Sequence, residues 1–288
     1  MIPVSVIVVT KDEAGRIGPC LSALQDFAQV VVVDSASRDG TVDSVKQMGV
    51  PCINFIWNKM YPKKRGWCLD QLEGLCDWVF FVDADEIVTP ELVQEIKDVV
   101  RGKCIYAGYF ITGRYTYGGE LLRHGAANHK IALFNRHVME FPVVDDLDIP
   151  GMGEIEGHYQ PVLKAGYNLP IGSLQAHLVH TALEDARAWI FRHQKYARWE
   201  AGMNVKNVWP IDPVPWRQRA KVYLRGSNLR PALMFLYSFV YKLGFLDGAR
   251  GMKFARERFM YCRMIAGETK RLRAASNKET ALHLSQTG

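Results

Sequence analysis

Several common signatures of ligand sites are absent from the sequence of 288 residues. No G-x-G-x-x-G follows the first apolar run and no G-x-x-x-x-G-K-[ST] occurs anywhere, which argues against dinucleotide oxidoreductases and P-loop nucleotidases. No Cys-x-x-Cys pair occurs either, which argues against a zinc knuckle and against a secreted disulfide framework. We expect reduced packing residues at the six cysteine positions, which are Cys20, Cys52, Cys68, Cys76, Cys104 and Cys262.

Long hydrophobic runs are also missing. The start, MIPVSVIVVTKDEAGR, has no basic segment before its apolar residues and reaches a charge at Lys11, so we expect no secretory signal. The most apolar stretch, residues 231–246, is short for a bilayer span and contains Lys242. The sequence therefore predicts a protein that stays in the cytoplasm.

Acidic residues are scarce in the last third of the chain. Residues 1–180 carry 16 basic and 22 acidic residues, whereas residues 181–288 carry 20 and 8. A basic, apolar-rich segment suits an anionic membrane surface or nucleic acid, although a solvated helical face has the same composition. Because basic residues flank the apolar run, we expect helices on a membrane surface and no nucleic-acid partner. Ordinary packing of these helices on the core is the alternative.

Four apolar, β-branched segments in the first hundred residues alternate with helical patterns. They are residues 4–9, 29–34, 52–55 and 78–85. Strands that are apolar on both faces belong to a parallel sheet covered by helices, so the fold class is α/β. Ligands of such sheets lie beyond the carboxyl ends of the strands.

The pattern changes twice further along the chain. Short β-type segments broken by glycine and proline occupy residues 105–180 and predict a partly antiparallel region. Helical patterns follow in residues 181–273, and residues 274–288 look like a disordered polar tail. We therefore expect a first domain at 1–180, with a nucleotide-binding half at 1–104 and an acceptor and metal half at 105–180, followed by a helical basic extension.

Three acidic residues end the fourth strand in the segment FFVDADE. Asp83 and Asp85 are two positions apart, so their side chains face one way along an extended chain. A hard divalent cation that bridges to phosphates would relieve their repulsion. Capping of the next helix is the alternative, but Thr89 and Pro90 already provide a cap. Glu86 is expected to point to the other side and to be a local structural residue.

The sequence is similar to a known enzyme family in VSVIVVTKDEAGRIGPCLSAL, VVVDSASRDGTVD, KKRGWCLD and FFVDADEIVTPEL. Together these segments resemble the nucleotide-sugar half of bacterial family 2 glycosyltransferases, especially enzymes of the lipopolysaccharide-core glucosyltransferase type. The likeness continues through RHG, ALFN, HLVH, RHQKYARWEA and LGFLDGARG. It implies the GT-A fold, a Rossmann-like and mostly parallel sheet flanked by helices, here with a C-terminal helical, membrane-associating extension.

The resemblance implies a site for a UDP-sugar and for Mg²⁺ or Mn²⁺. It assigns the nucleoside to Thr10, Glu13 and Asp34, with Asp34 at the uracil, and the basic position near the nucleotide to Arg65 and Lys64. Asp83, Ala84 and Asp85 match the DXD motif of the family, with Asp85 as the principal metal ligand. The remaining residues implied near the donor are His180 at the metal and Arg123 and His124 at the diphosphate.

The same resemblance implies a base that accepts the proton of the acceptor hydroxyl. The sequence departs from its relatives at this point and reads VVDDLD, so Asp146 is the first choice and Asp145 the second, with Glu154 or Glu156 as alternatives. A solvated acidic loop is the structural alternative. Arg192, Tyr196 and Trp199 are expected to bind the acceptor or to pack the first helix of the extension, and packing is favoured for the two aromatic residues.

The function implied is an inverting, metal-dependent transfer of a sugar from a UDP-sugar to a lipid-linked or lipopolysaccharide-type glycan. The place implied is the inner face of the bacterial inner membrane. A sugar nucleotidyltransferase is one alternative, but TKDEAGRIGP is a poor match to the glycine-rich, arginine-bearing loop of that class. A catalytically inactive membrane-surface scaffold of the same fold is the other.

Overall fold

The computed structural model describes residues 1–102, 105–146, 159–181, 185–212, 214–225 and 227–286, with side chains up to residue 277. These residues form two compact units that divide near residue 182, close to the boundary expected at 180. Two short segments, 122–126 and 144–146, were expected in the first domain and belong to the second unit. Cys104, Glu154, Glu156 and His158 lie outside the described residues.

A nine-stranded mixed sheet forms the centre of the first unit. Its strands are β1 (Ile2–Thr10), β2 (Phe27–Asp34), β3 (Cys52–Asn54), β4 (Trp78–Asp83), β5 (Glu86–Val88), β6 (Gly108–Tyr117), β7 (Glu120–Leu121), β8 (Asn128–Asn135) and β11 (Ile171–Thr181). Their order is β3-β2-β1-β4-β8-β6-β11-β5, with β7 paired to β6. A separate pair is formed by β9 (Met139–Glu140) and β10 (Val162–Leu163).

The first four strands of this order are parallel, as their sequences predict. Thr10 of β1 is in register with Asp34 of β2, and Val9 is in register with Asp83 of β4. The carboxyl ends of these strands therefore meet at one edge of the sheet. Antiparallel pairing begins where β8 joins β4, so the sheet as a whole is mixed.

Four helices accompany the parallel strands: α1 (Ile17–Ser22), α2 (Thr41–Gln47), α3 (Lys64–Gln71) and α4 (Pro90–Arg101). Leu92 and Ile96 of α4 are fully buried in the same cluster as Phe80 of β4. The helix begins as expected, because the Thr89 hydroxyl accepts a hydrogen bond from the Leu92 N–H at 3.3 Å and Pro90 occupies the first position. The carboxylates before it are thus not needed as caps.

The second unit is helical. It contains α5 (Ala186–Lys206), α6 (Pro215–Leu224), α7 (Arg230–Leu236), a π-helical turn (Tyr237–Tyr241), a 3₁₀ turn (Gly244–Asp247) and α8 (Gly248–Gln286). Glu200 of α5 is buried, and its carboxylate accepts hydrogen bonds from Arg230 at 3.0 Å and from the Tyr261 hydroxyl at 2.6 Å. Burial and the Glu200 charge raise the pKa of Tyr261. The buried charge of α5 is therefore paired within the unit.

The end of the chain differs from the expected disordered tail. The backbone stays helical to Gln286, because no glycine or proline interrupts the sequence between Gly267 and residue 287, and helix formers such as alanine, lysine and leucine fill it. No single helix among the described residues has the length and hydropathy of a membrane span. Two helical segments, Arg230–Tyr241 and Gly244–Asn277, meet that criterion only as a pair, bent by 72°.

Candidate active site

A network of opposite charges surrounds the end of β4. Asp83 accepts hydrogen bonds from Arg65 of α3 at 2.7 Å and from the Lys130 ammonium of β8 at 2.8 Å. Lys130 also donates to Glu86 at 2.7 Å, and the other Glu86 partner is the Asp83 backbone N–H at 3.0 Å. One lysine thus compensates two carboxylates from β4 and β5, which are consecutive along the chain but not adjacent in the sheet.

These pairs set the ionisation of their members. Burial opposes the charge of Asp83, but the cations Lys130 and Arg65 outweigh burial and hold its pKa well below the usual range. Burial likewise opposes the charge of Lys130, and the carboxylates of Asp83 and Glu86 outweigh it, so the pKa of Lys130 lies above its ordinary value. Asp83, Glu86 and Lys130 are therefore charged near neutral pH.

Asp85 has a different environment in the turn after β4. Its Oδ2 lies 3.6 Å from Arg16 and 3.5 Å from His180 Nε2, separations too long for strong ion pairs. Burial raises the pKa of Asp85, the charge of His180 opposes this rise, and the charges of Asp83 and Glu86 add to it. Of the two aspartates, Asp85 is the one whose negative charge is less compensated by protein cations.

The expectation for Glu86 is corrected in part. Its side chain is completely buried and joins the same charge network as Asp83, whereas alternation along one strand would turn it away from the site. The chain turns at Ala84 and Asp85, so β5 is a new strand, and the alternation of β4 does not carry over to it. Sequence reasoning also missed Lys130. The only signal was a lysine inside the β-type segment NHKIALFN.

The side chains at this edge include the types of ligand atom that bind a hard divalent cation. Asp83 and Asp85 supply carboxylate oxygens and His180 supplies an imidazole nitrogen, which are ligand types that Mg²⁺ and Mn²⁺ accept. Glu86 Oε1 and His180 Nδ1 are buried 3.8 Å apart, and neither has a hydrogen-bond partner in the described structure. No three His, Cys, Asp or Glu side chains are arranged as a finished metal site among the described residues. The assignment of Asp83, Asp85 and His180 to a metal stays a prediction.

The residues expected at the nucleoside lie along the ends of β1 and β2. Thr10 is buried, and its carbonyl accepts a hydrogen bond from the Lys64 ammonium at 3.3 Å. Both carboxylate oxygens of Asp34 accept hydrogen bonds from Ser37, one from the hydroxyl and one from the backbone N–H. This turn holds the Asp34 carboxylate at the sheet edge.

Two further expected residues lie close to these strand ends. The Glu13 backbone N–H donates to the Thr41 hydroxyl at 2.8 Å, and its carboxylate pairs with Arg16. Ala84 is buried, and its N–H donates to the Val9 carbonyl at 3.3 Å. The structure therefore gathers the expected residues of the first unit at one edge of the sheet.

Arg123 and His124 belong to the second unit. Their backbone N–H groups donate to the two oxygens of Asp247 at 3.3 and 2.8 Å. Gly125 follows with φ +85°, a left-handed conformation that favours glycine, and its N–H donates to the Lys242 carbonyl. The RHG and LGFLDGARG segments noted in the sequence are thus bonded to each other. The expected role of Arg123 and His124 at the diphosphate stays a prediction.

The two candidate bases differ in exposure. Asp146 is buried within the second unit, whereas the side chain of Asp145 is 79% exposed and forms an ion pair with Lys206 at 3.2 Å. Nothing in these contacts tests the choice of Asp146 as the base, which remains a prediction.

The expected acceptor residues all lie on α5. Trp199 is 1% exposed and packs edge-to-face on Trp209, with ring centroids 5.5 Å apart. Tyr196 packs against the cluster of Trp189, Ala197, Tyr261 and Ile265, and Arg192 is half-buried. Burial of Trp199 matches the packing alternative that the sequence favoured, so acceptor contacts are left to the more accessible Arg192 and Tyr196 as predictions.

The family model for glycosyl transferase family 2 matches residues 5–140. This segment, which is just under half of the chain, is similar to glycosyl transferase family 2. The match includes β1 to β4, the charged edge and Lys130, so the resemblance seen in the sequence is confirmed for the part of the chain that carries the candidate site. Glycosyltransferases are the enzyme class expected from that resemblance.

Two curated relatives agree with this family. An uncharacterized glycosyltransferase of Rickettsia felis is 35% identical over 97 residues, which cover 33% of this chain and 32% of the relative. The lipopolysaccharide core biosynthesis glycosyltransferase LpsC of Rhizobium meliloti is 30% identical over 127 residues, which cover 40% of this chain and 46% of LpsC. The matched part thus spans a third to a half of the length of these relatives.

A solved glycosyltransferase structure has a similar fold. The mannosyltransferase PcManGT from Pyrobaculum calidifontis, in complex with GDP-Man and Mn²⁺, has a TM-score of 0.51 and 16% identity, covering 93% of this chain and 86% of that chain. At this identity the likeness concerns the fold alone. The expected GT-A fold is confirmed, with a sheet that is mixed beyond its four parallel strands.

Replacing Lys130 should lower the stability of the first unit. Lys130→Met leaves the buried Glu86 and the half-buried Asp83 without their shared cation, so we expect the free energy of unfolding to fall by about 3 kcal/mol. Urea denaturation measures the change. Lys46→Met, at an exposed position of α2, is the matched control and should change stability little. Equal stability of the two variants would show that Lys130 is not required to compensate the carboxylates.

Proposed function

We propose that the protein is an inverting, divalent-metal-dependent glycosyltransferase that moves a sugar from a UDP-sugar to a lipid-linked or lipopolysaccharide-type glycan. The observation that carries this proposal is the charged edge at the end of β4, within a family 2 segment. Asp83 there is held by Arg65 and Lys130, while Asp85 lies nearby with weaker partners. The name of LpsC, a lipopolysaccharide core enzyme, supports the acceptor class.

The donor would lie across the ends of β1, β2 and β4. Asp34 presents carboxylate oxygens that can accept hydrogen bonds from the uracil, and Thr10 and Glu13 line the adjacent loop. Lys64 and Arg65 are at the start of α3 and can bind the diphosphate. PcManGT is in complex with GDP-Man, which carries guanine in place of uracil. A comparison of the affinities for UDP and GDP therefore tests the proposed preference for uracil.

The residues proposed to hold Mg²⁺ or Mn²⁺ are Asp85, Asp83 and His180. When bound, the cation would neutralise charge that develops on the departing diphosphate. Arg65 also donates toward this region, so it can stabilise the same charge after it has oriented Asp83. Asp146 is proposed to take the proton from the acceptor hydroxyl as that oxygen attacks the anomeric carbon.

The Asp85→Asn variant tests the donor and metal site. We expect the Mn²⁺-dependent affinity for UDP to fall by about a hundredfold or more, since residues that only orient metal ligands already contribute about 10–100-fold. Isothermal titration calorimetry with and without Mn²⁺ or Mg²⁺ measures the change. Asp77→Asn is the control, because Asp77 is 74% exposed and pairs with His137. Unchanged metal-dependent affinity in Asp85→Asn would remove Asp85 from the metal site.

The Asp146→Asn variant tests the base. We expect transfer of labelled sugar into a bacterial membrane extract to fall by about 10²–10⁴-fold, with UDP affinity nearly unchanged. Asp145→Asn is measured in parallel. Loss of transfer in Asp145→Asn alone would move the base to Asp145, and full activity of both variants would place the base elsewhere.

We also propose that the protein is peripheral on the inner face of the bacterial inner membrane. Many apolar side chains are exposed in residues 229–246, which we call the 229–246 surface: Leu229, Leu233, Leu236, Tyr237, Val240, Tyr241, Leu243, Phe245 and Leu246. Large exposed apolar patches mark interaction or membrane sites. Soluble partners could cover such a surface, but its charges favour a membrane.

The charges around the 229–246 surface are of one sign. No acidic residue lies between Asp212 and Asp247, and that interval contains six basic residues. The Lys242 ammonium lies 5.7 Å from the Tyr237 ring and 5.6 Å from the Tyr241 ring, and the two rings stack on each other. Aromatic and lysine side chains with an apolar body and a polar tip suit the boundary of an anionic bilayer.

Polar substitutions on this surface test the membrane proposal. We expect Leu236→Ser with Tyr241→Ser to lower the affinity for phosphatidylglycerol vesicles about tenfold or more, because two apolar contacts with the bilayer are lost. Vesicle flotation measures binding. The control pair, Ile56→Ser with Phe191→Ser, changes two side chains that are each 76% exposed outside the 229–246 surface. Equal binding of both pairs would contradict the proposal.

A further inference from the structure

The second unit contains a cavity of about 210 Å³ that has no role in the glycosyl transfer proposed above. The space equals the liquid volume of roughly seven water molecules, enough for a small polar group. Its wall combines two aromatic rings, two amides and two arginines, namely Trp209, Tyr223, Asn204, Asn207, Arg225 and Arg273. Aromatic rings beside convergent polar groups that fix the orientation of a ligand are common in small-ligand sites.

One side of the cavity is held in place by a chain of hydrogen bonds. The Trp209 indole N–H donates to Asn204 Oδ1 at 3.1 Å, and the Asn204 amide donates to the Arg225 carbonyl and to the Thr269 hydroxyl, each at 3.2 Å. The Arg225 guanidinium lies over the Trp209 ring, 4.1 Å from its centroid. The ring and the guanidinium plane therefore form an ordered wall.

The two arginines at the cavity differ from Arg217, Arg230 and Arg271, which have a carboxylate at ion-pair distance, although the charges of Glu200 and Asp212 act on Arg225 from farther away. Among the described side chains, no carboxylate pairs with Arg225 or Arg273. The nearby acids are engaged elsewhere: Asp212 with Lys221 and Arg217, Glu200 with Arg230, and Glu268 with Arg271.

This arrangement leaves a partly desolvated cation beside an open space. Burial lowers the pKa of Arg225, which reflects the cost of holding its charge away from water. Guanidinium groups bind phosphate oxygens through paired N–H donors, and the bond is stronger where water is partly excluded. An anion in the cavity would supply the partner that the unit's own carboxylates do not.

We propose that this cavity binds a phosphate monoester through Arg225 and Arg273, with Trp209 and Tyr223 packing on the group that carries the phosphate. Two arginines match the two negative charges of a monoester. The phosphate can belong to a soluble sugar phosphate or to a lipid head group. Where the proposed glycan acceptor carries such a phosphate, the cavity contributes to its recognition; that last step alone rests on the proposed function.

Arg273→Gln tests the site with inorganic phosphate as the probe in isothermal titration calorimetry. Arg273 is exposed, so the variant should fold, and a melting curve checks this. We expect the dissociation constant for phosphate to rise about tenfold or more, as for the loss of one charged hydrogen-bond pair. Arg271→Gln is the matched control: it removes the same charge two residues away on α8, from a side chain that pairs with Glu268.

The outcomes separate clearly. Loss in Arg273→Gln with retention in Arg271→Gln supports the site; equal affinity in all three proteins, or equal loss in both variants, overturns it. Vesicles then identify the source of the phosphate. If the protein binds phosphatidic acid vesicles more tightly than phosphatidylglycerol vesicles, and Arg273→Gln loses this difference, the ligand is a lipid phosphate monoester. If there is no such difference, the ligand is a soluble phosphate monoester. Because the titration uses neither donor nor acceptor, it stands or fails independently of glycosyl transfer.

Discussion

The compensation of buried negative charge at the end of β4 is the constraint on which the first unit depends. Asp83 and Glu86 are close to each other and largely or completely buried, and Lys130 bonds to both. Such a cluster is unfavourable unless cations reach it from outside the strand. The sheet order supplies them, because β8 pairs directly with β4 and α3 presents Arg65 to the same carboxylate. The strand order that forms the sheet therefore also brings the compensating cations to the charged edge.

The uneven compensation of the two aspartates gives this edge its chemical character. Asp83 is bonded to two cations, whereas the Asp85 carboxylate lies 3.5 Å from His180 and 3.6 Å from Arg16, beside carboxylates that raise its pKa. Asp83 is thus fixed by its ion pairs, and the negative charge of Asp85 is less well balanced. Such a site is suited to bind a positively charged group. In the second unit, Asp212 and Glu200 are paired with Lys221 and Arg230, and two other arginines line a cavity. These charges are the basis of the cation proposed for the first unit and of the anion proposed for the second.

The parts of the fold that could be predicted are those encoded by local patterns. The four parallel strands follow from apolar runs, and the start of α4 follows from Thr89 and Pro90. The candidate edge follows from carboxylates at strand ends, because parallel strands bring those ends together. The expectation for Glu86 was corrected because the turn at Ala84 and Asp85 restarts the alternation. The helix α8 extends to Gln286, into the segment that was expected to be a polar tail.

The sequence by itself determined the four parallel strands of the first unit, the place of Asp34, Asp83 and Asp85 at strand ends, and the likeness of this segment to family 2, since these depend on neighbours along the chain. Only the tertiary structure decided which distant side chains complete the site. Lys130 comes 47 positions after Asp83, and His180 reaches Glu86 through the pairing of β11 with β5. Such contacts depend on the order of strands in the sheet, and local periodicity carries no information about that order.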